Sequence, residues 1–146
     1  MSLHIERLER EGIVILDLKG PLTLGHGDAE LRDQLPDLHG SGNVNIVLNL
    51  KEVTHIDSTG LGTLVFGLTR LRKAGGRLAL LNLNRSHMEL LLLTKLATVF
   101  ELFDDEQEAV NSFFPDRKIR RFDILNFVQH EGSGELDREA RLDAAC

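Results

Sequence analysis

The chain has 146 residues, 42% of them hydrophobic and 27% charged, and a formal net charge of −6. This balance is typical of one soluble domain with its own core, and the negative charge disfavours direct binding of nucleic acid. Its only cysteine, Cys146, excludes an internal disulfide and a multi-cysteine metal cluster. Because no apolar run reaches about 18 residues and no basic leader is present, we expect a cytoplasmic chain without membrane insertion.

The first elements in the chain predict a hairpin followed by a helix. Residues 3–9 alternate weakly, and residues 13–18 form a continuous apolar run that is typical of a buried strand. A tight turn at residues 10–12 joins them, and the Gly-Pro pair at 20–21 is expected to stop the second strand. Leucines at helical spacing then predict an amphipathic helix over residues 28–38.

The middle of the chain predicts a βαβ unit. Residues 44–50 and 77–83 are buried-strand candidates, and between them five aliphatic residues from Leu61 to Leu71 follow helical spacing. Basic residues near the end of this helix complement its dipole, and Gly75-Gly76 terminates it. A strand, a helix and a strand in this order require a parallel pair with a right-handed crossover.

The pattern continues to residue 115 and then changes. A short helix from Ser86, a strand at 99–103 and a last helix that Asp105 caps together with Glu108 are predicted, and Pro115 closes that helix. The sequence therefore predicts an α/β domain with a mixed, mostly parallel sheet, an antiparallel edge hairpin and about four helices.

Residues 116–146 are expected to be an extension of this domain. They contain a basic cluster at 117–121, an apolar stretch at 122–128 and a linker-like run at 131–134. We expect the basic cluster to be solvated, and the apolar stretch to pack on this domain or on a second copy, which would give a homodimer through the extension.

The most informative segment is the junction between the second buried strand and the best helix, Asp57-Ser58-Thr59-Gly60-Leu61-Gly62. In an open α/β sheet, ligands and partners bind at such a junction. Either Asp57 or Ser58 can cap the helix by accepting hydrogen bonds from its free N–H groups. Two glycines in a helix cost about 1 kcal/mol each, so we expect Gly60 and Gly62 to leave room for another molecule. Ser58 is the predicted functional residue.

This junction and its surroundings resemble the anti-anti-sigma factor family, which consists of small STAS-domain proteins. The resemblance covers about residues 3–114 in the right order and spacing. The segments that carry it are Val47-Leu48-Asn49-Leu50, Ile56-Asp57-Ser58-Thr59-Gly60-Leu61-Gly62, Gly75-Gly76-Arg77-Leu78, Leu93-Thr94-Lys95-Leu96, Val99-Phe100 and Glu108-Ala109-Val110.

The resemblance implies a STAS-like domain at residues 1–115 and a switch at Ser58. In that family, a partner that is both an anti-sigma factor and a serine protein kinase phosphorylates the serine after the aspartate. The unphosphorylated protein binds that partner and frees the sigma factor, and the phosphorylated protein releases it. The implied partner-binding residues are Asp57, Thr59, Gly60, Leu61, Gly62, Thr23 and Leu24.

One position departs from the family pattern. Thr23 stands where the family commonly has an aspartate, and Asp28 is the nearest carboxylate that follows it. A STAS scaffold or regulatory module in a signalling or transport complex is therefore kept as the alternative function.

The sequence gives less support to enzymatic functions. A serine hydrolase would need glycine two residues before the serine, where Ile56 stands, and a dinucleotide site would need glycine at the position of Val65. No two histidines share metal-ligand spacing with a carboxylate. We therefore expect neither catalysis nor a cofactor nor a metal.

Overall fold

The computed structural model describes residues 2–40 and 45–119, with only the backbone given for 36–40. Five strands form one sheet in the order β1-β2-β3-β4-β5, in which β1 and β2 are antiparallel and all other neighbours are parallel. The predicted mixed α/β fold is thereby confirmed. The elements are β1 (His4–Arg10), β2 (Ile13–Leu22), α1 (Asp28–Gly40), β3 (Asn45–Ile56), α2 (Ser58–Lys73), β4 (Arg77–Leu81), α3 (Arg85–Leu93), β5 (Glu101–Phe103) and α4 (Glu106–Asn111).

The edge hairpin turns where the sequence predicts it. Arg10 pairs with Ile13, so the connection is the two-residue loop Glu11-Gly12. Both loop residues have positive φ, 53° and 84°, which is the geometry of a type I′ turn. This turn matches the twist of the two strands and fixes their register.

The expected stop at Gly20-Pro21 is wrong, because β2 continues to Leu22 alongside an equally extended β3. The register shifts twice, between Asp17 and Lys19 and between Gly20 and Leu22, and each time β3 advances by one residue more than β2. Pro21 lies within the second irregularity, where a missing ladder N–H is tolerated. These bulges break the alternation of β3, which explains why the sequence pattern predicts a strand that ends at Leu50.

Two apolar cores lie on opposite faces of the sheet. The larger one joins the strands to α1, α2 and α3, and fully buried Leu35, Leu64 and Leu80 belong to it. The smaller one lies under α4, where Ala109 and Val110 contact Phe103 and Ile15. The main face thus holds α2 against β3 and β4, and this packing positions the junction at residues 57–62.

The last elements form in the predicted order, but β5 begins at Glu101 rather than at residue 99, and α4 ends at Asn111 rather than at Pro115. Asn84 caps α3, which begins at Arg85 rather than at Ser86, and the Asp105 side chain accepts a hydrogen bond from the Glu108 N–H as expected for a cap. After α4 the described chain stays on the domain as far as Arg117, which stacks on Phe114 and pairs with Glu11 at 2.6 Å. The predicted apolar stretch, linker and homodimer contact fall at or beyond residue 120, outside the described residues.

Candidate functional site at the amino end of helix α2

The site lies at the edge of the sheet where β2 and β3 end side by side. β3 ends at Ile56, and α2 begins two residues later at Ser58. Since Leu22 pairs with Ile56 in the parallel ladder, the loop that follows β2 lies beside the start of α2. The topology therefore brings Thr23 and Leu24 to the Asp-Ser junction, as the resemblance implies.

The Asp57 carboxylate holds these two segments together. Its Oδ1 accepts a hydrogen bond from the Gly60 N–H at 2.9 Å, which makes Asp57, rather than Ser58, the N-cap of α2. Its Oδ2 accepts a hydrogen bond from the Leu24 N–H at 3.0 Å. The Leu24 amide, followed by the Gly60 amide, lowers the pKa of Asp57, so the carboxylate is ionised at neutral pH.

The loop at residues 23–27 is a tight turn that presents an exposed leucine. Thr23 and His26 exchange backbone hydrogen bonds of 2.8 and 2.9 Å, and Leu24 at the tip is 70% exposed. The Asp28 carboxylate accepts a hydrogen bond from the Gly25 N–H at 3.1 Å and is only 8% exposed. Asp28 thus stabilises its own loop, while Thr23 is half-buried beside it.

The two glycines of the junction have different surroundings. A Cβ on Gly60 would lie 1.9 Å from the Leu22 carbonyl oxygen, so this glycine permits the close approach of α2 to β2. A Cβ on Gly62 would meet nothing within 4 Å, and Gly62 is exposed. Only Gly62 leaves open surface in the described structure, and its contact with a partner stays a prediction.

The remaining junction residues divide between surface and core. Ser58 is exposed at the first position of α2, where the positive end of the helix dipole favours an added negative charge. Thr59 is half-buried, and Leu61 is 4% exposed and belongs to the main core. The structure thus gathers Ser58, Gly62 and Leu24 on the surface around Asp57 and turns Gly60 and Leu61 inward.

Sequence reasoning missed a polar contact that joins α1 to α2 behind the site. The Arg32 guanidinium donates to the Thr63 hydroxyl at 3.1 Å, and this hydroxyl donates to the Thr59 carbonyl oxygen at 3.2 Å. Thr63 is 1% exposed, so the pair satisfies a buried polar group in the first turns of α2. A single arginine and threonine 31 residues apart give no sequence signal of such a contact.

A second feature that the sequence did not indicate is buried His87 at the start of α3. It is 2% exposed, its Nδ1 accepts a hydrogen bond from the Asn84 N–H, and its N–H donates to the Asn84 side chain. Burial lowers the pKa of His87, and the charge of nearby His55 lowers it further, while the Val53 carbonyl opposes both. The histidine is therefore neutral at pH 7 and acts as half of a capping box.

Comparison with known proteins places the whole sheet in one family. The STAS domain family matches residues 4–109, which include every strand and helix bordering the site. Among residues 2–40 and 45–119, no helix is both long enough and apolar enough to span a bilayer.

Two curated relatives match most of the chain. The anti-sigma F factor antagonist of Paenibacillus polymyxa is 29% identical over 111 residues, which are 75% of this chain and 94% of the relative. The anti-sigma-B factor antagonist of Bacillus subtilis is 28% identical over 102 residues, which are 70% of this chain and 92% of the relative.

A solved structure shows the same likeness. The crystal structure of a candidate anti-sigma factor antagonist from Thermotoga maritima superposes with a TM-score of 0.70 at 27% identity, covering 74% of this chain and 92% of that one. Both the sequence and the arrangement of elements are thus similar to those of proteins named as antagonists of anti-sigma factors.

Proposed function

The chain belongs to the STAS domain family, and from this we propose that it is an anti-sigma factor antagonist that phosphorylation of Ser58 switches off. Unphosphorylated, it binds an anti-sigma factor that is also a serine kinase. The observation that carries the proposal is exposed Ser58 at the first turn of α2, next in sequence to ionised Asp57, whose carboxylate binds the amide of exposed Leu24. The curated relatives, both named as antagonists of anti-sigma factors, support the choice of partner.

The site suits a switch that works through charge. A phosphate on Ser58 adds about −1.5 to −2 charges at pH 7 next to the Asp57 carboxylate. At the amino end of a helix this charge is stabilised by about 0.3–1 kcal/mol, so the domain tolerates it without refolding. A partner that covers Ser58 must desolvate the same charge, which costs several kcal/mol when no cation is prepared for it.

The binding surface needs an apolar anchor as well as the serine. Leu24 is the exposed leucine nearest to Asp57, and its own N–H is hydrogen-bonded to that carboxylate. Exposed Gly62 adds open backbone surface on the next turn of α2. Together they form a small apolar and polar surface around Ser58 on which a partner can pack.

The test is binding of Ser58 variants to the candidate anti-sigma factor kinase, with and without ATP. We expect Ser58→Ala to bind under both conditions, and Ser58→Asp to bind at least tenfold more weakly, which corresponds to about 1.4 kcal/mol. Thr59→Ala is the matched control and should still lose binding when ATP is added. Mass mapping should find the phosphate on Ser58, and equal binding of Ser58→Asp and Ser58→Ala would contradict the switch.

The proteins that copurify with the chain distinguish the antagonist from the alternative function, a STAS scaffold in a signalling or transport complex. An associated ATPase of the histidine-kinase type that phosphorylates Ser58 supports the antagonist. Stable association with scaffold or transporter subunits, without phosphorylation, would contradict the antagonist function and support the scaffold function.

A further inference from the structure

The far end of α2 and α3 carries an apolar surface that the proposed switch does not use. Leu93, the last residue of α3, is 82% exposed, more than Leu8 or Leu24. Its chain neighbour Leu92 lines an open groove of about 220 Å³ together with Lys95, Ala97 and Thr98. We call this surface the α3 patch and define it by Leu92, Leu93, Lys95, Ala97 and Thr98.

The α3 patch is distant from Ser58. Helix α2 rises about 22 Å between Ser58 and Lys73. Near its other end, Arg72 donates a hydrogen bond to the Val99 carbonyl, in the segment that borders the groove. The patch is therefore a separate surface.

The surroundings of the patch are basic, although the chain as a whole is acidic. Residues 62–76 and 84–100 contain five lysines and arginines against one carboxylate, and Arg77, which follows the first segment, is paired with Glu101. The one carboxylate, Glu89, is paired with Arg85 at 3.3 Å. Lys95 lines the groove and is exposed, and Lys73 is exposed as the last residue of α2. An apolar groove with this rim suits a segment that has leucines and a negative charge.

The chain contains such a segment. Residues 131–146 include five carboxylates against two arginines, and they also include Leu136 and Leu142. The apolar stretch at 122–128 follows a basic cluster, and the basic residues around the patch would repel that cluster. We propose that residues 131–146 bind the α3 patch of the same molecule and cover Leu93.

The distance allows this contact. Arg117 pairs with Glu11 in the β1–β2 turn, at the same end of the parallel strands as the C-terminal end of α3. Four strands at about 4.8 Å and a layer on each face give a span of roughly 35 Å. The 13 residues 118–130, between Arg117 and the proposed segment, reach up to about 43 Å at about 3.3 Å each.

The test uses Cys146, the only cysteine of the chain, as the attachment point of a nitroxide on the full-length protein. NMR relaxation is then measured on leucine and alanine methyl groups. We expect strong broadening at Leu93 and Ala97 at low salt and its loss at about 0.5 M salt, where charges are screened within a few ångströms. A mixture of labelled chain with isotope-labelled, nitroxide-free chain should show no broadening.

Two variants make the result specific. Leu93→Gln should abolish the broadening at Ala97, and because Leu93 is exposed the change leaves the core intact. Leu8→Gln, on the edge strand, is the matched control and should leave it unchanged. Broadening at another surface, no broadening, or broadening only in the mixed sample, which indicates a second copy, would each overturn the proposal.

Discussion

A single carboxylate connects the two segments that border the candidate site. Asp57 caps α2 through Gly60 and fixes the loop at residues 23–27 through the Leu24 amide. The Asp57 carboxylate thus adds to the Thr23–His26 backbone bonds and the Asp28 contact that also hold this loop. The same aspartate therefore serves the helix cap and the proposed binding surface.

Variants of Asp57 separate its two hydrogen bonds. Asp57→Asn keeps an acceptor for the Gly60 N–H, so we expect it to preserve the cap and lose the bond to Leu24. Asp57→Ala loses both, and its free energy of unfolding should fall by about 1 kcal/mol relative to Asp57→Asn. Urea unfolding measures the cap, and amide exchange at Leu24 measures the loop. Unchanged exchange in Asp57→Asn would show that the loop does not depend on this carboxylate.

His87 predicts how stability depends on pH. Its pKa is lowered in the folded protein, mainly by burial, so the unfolded chain takes up the proton first. The contribution of neutral His87 to the free energy of unfolding is complete above the ordinary histidine pKa of about 6.5. It is lost as the pH falls towards the pKa that His87 has in the folded protein. The loss from this one group is at most about 1.4 kcal/mol per pH unit. Urea unfolding from pH 7.5 to 5.5 checks this.

The variant His87→Gln isolates the effect, because glutamine keeps an acceptor for the Asn84 N–H and does not titrate in this range. We expect its stability to vary less with pH than that of the unmodified chain. His55→Gln, at an exposed neighbouring position, is the control and should retain most of the dependence. An identical pH profile in His87→Gln would mean that other groups cause it.

At the scale of elements, the structure distinguishes two glycines that look equivalent in the sequence. Gly60 faces the Leu22 carbonyl oxygen, which belongs to another element, whereas Gly62 faces open space. Periodicity identified α2 and its glycines, but the neighbour of each is decided by the β2–β3 pairing. The sequence does not predict this pairing, because the bulges that extend β3 to Ile56 break the alternation of apolar and polar residues that is typical of a strand.

Local signals were predicted more fully than contacts between distant elements. The Glu11-Gly12 turn, the Asp105 cap and the Gly75 helix end depend on neighbouring residues, and the sequence indicated them. The link between Asp57 and Leu24 spans 33 residues and requires the sheet to exist first. Ser58 is the first residue of α2, and this position can be predicted from the local sequence. Leu61 is buried because α2 packs on the sheet, which is a contact between distant elements.

The two glycines give a matched pair of variants. Gly60→Ala places a methyl group against backbone that cannot yield without moving α2, so we expect a loss of about 1–3 kcal/mol or more in the free energy of unfolding. Gly62→Ala fills open space on an exposed helix and should stabilise the fold by up to about 1 kcal/mol. Urea unfolding of both compares them directly. Similar values for the two would contradict the close approach of α2 to β2.

At the scale of the whole molecule, opposite ends of the main helical layer have different characters. Ser58 and Asp57 lie at the end where a negative charge is added by the proposed switch, and the basic α3 patch lies at the other. A charge at Ser58 is farther from the patch than a Debye length of about 8 Å at physiological salt. We therefore expect the two surfaces to act independently unless a partner spans both.

The last prediction concerns residues beyond the described domain. The apolar stretch at 122–128 is expected to pack on this domain or on a second copy, so a chain that ends at residue 119 should be less stable, or should no longer dimerise, relative to a chain that ends at residue 130. Sedimentation and urea unfolding distinguish these outcomes, since lost packing on the domain lowers the urea midpoint and lost pairing converts a dimer into a monomer. Ending the chain at 119 keeps Arg117 on Glu11 and Phe114, whereas a chain ending at 115 removes these contacts and should unfold at lower urea. If the chains ending at 119 and at 130 have the same oligomeric state and the same urea midpoint, the packing hypothesis is wrong.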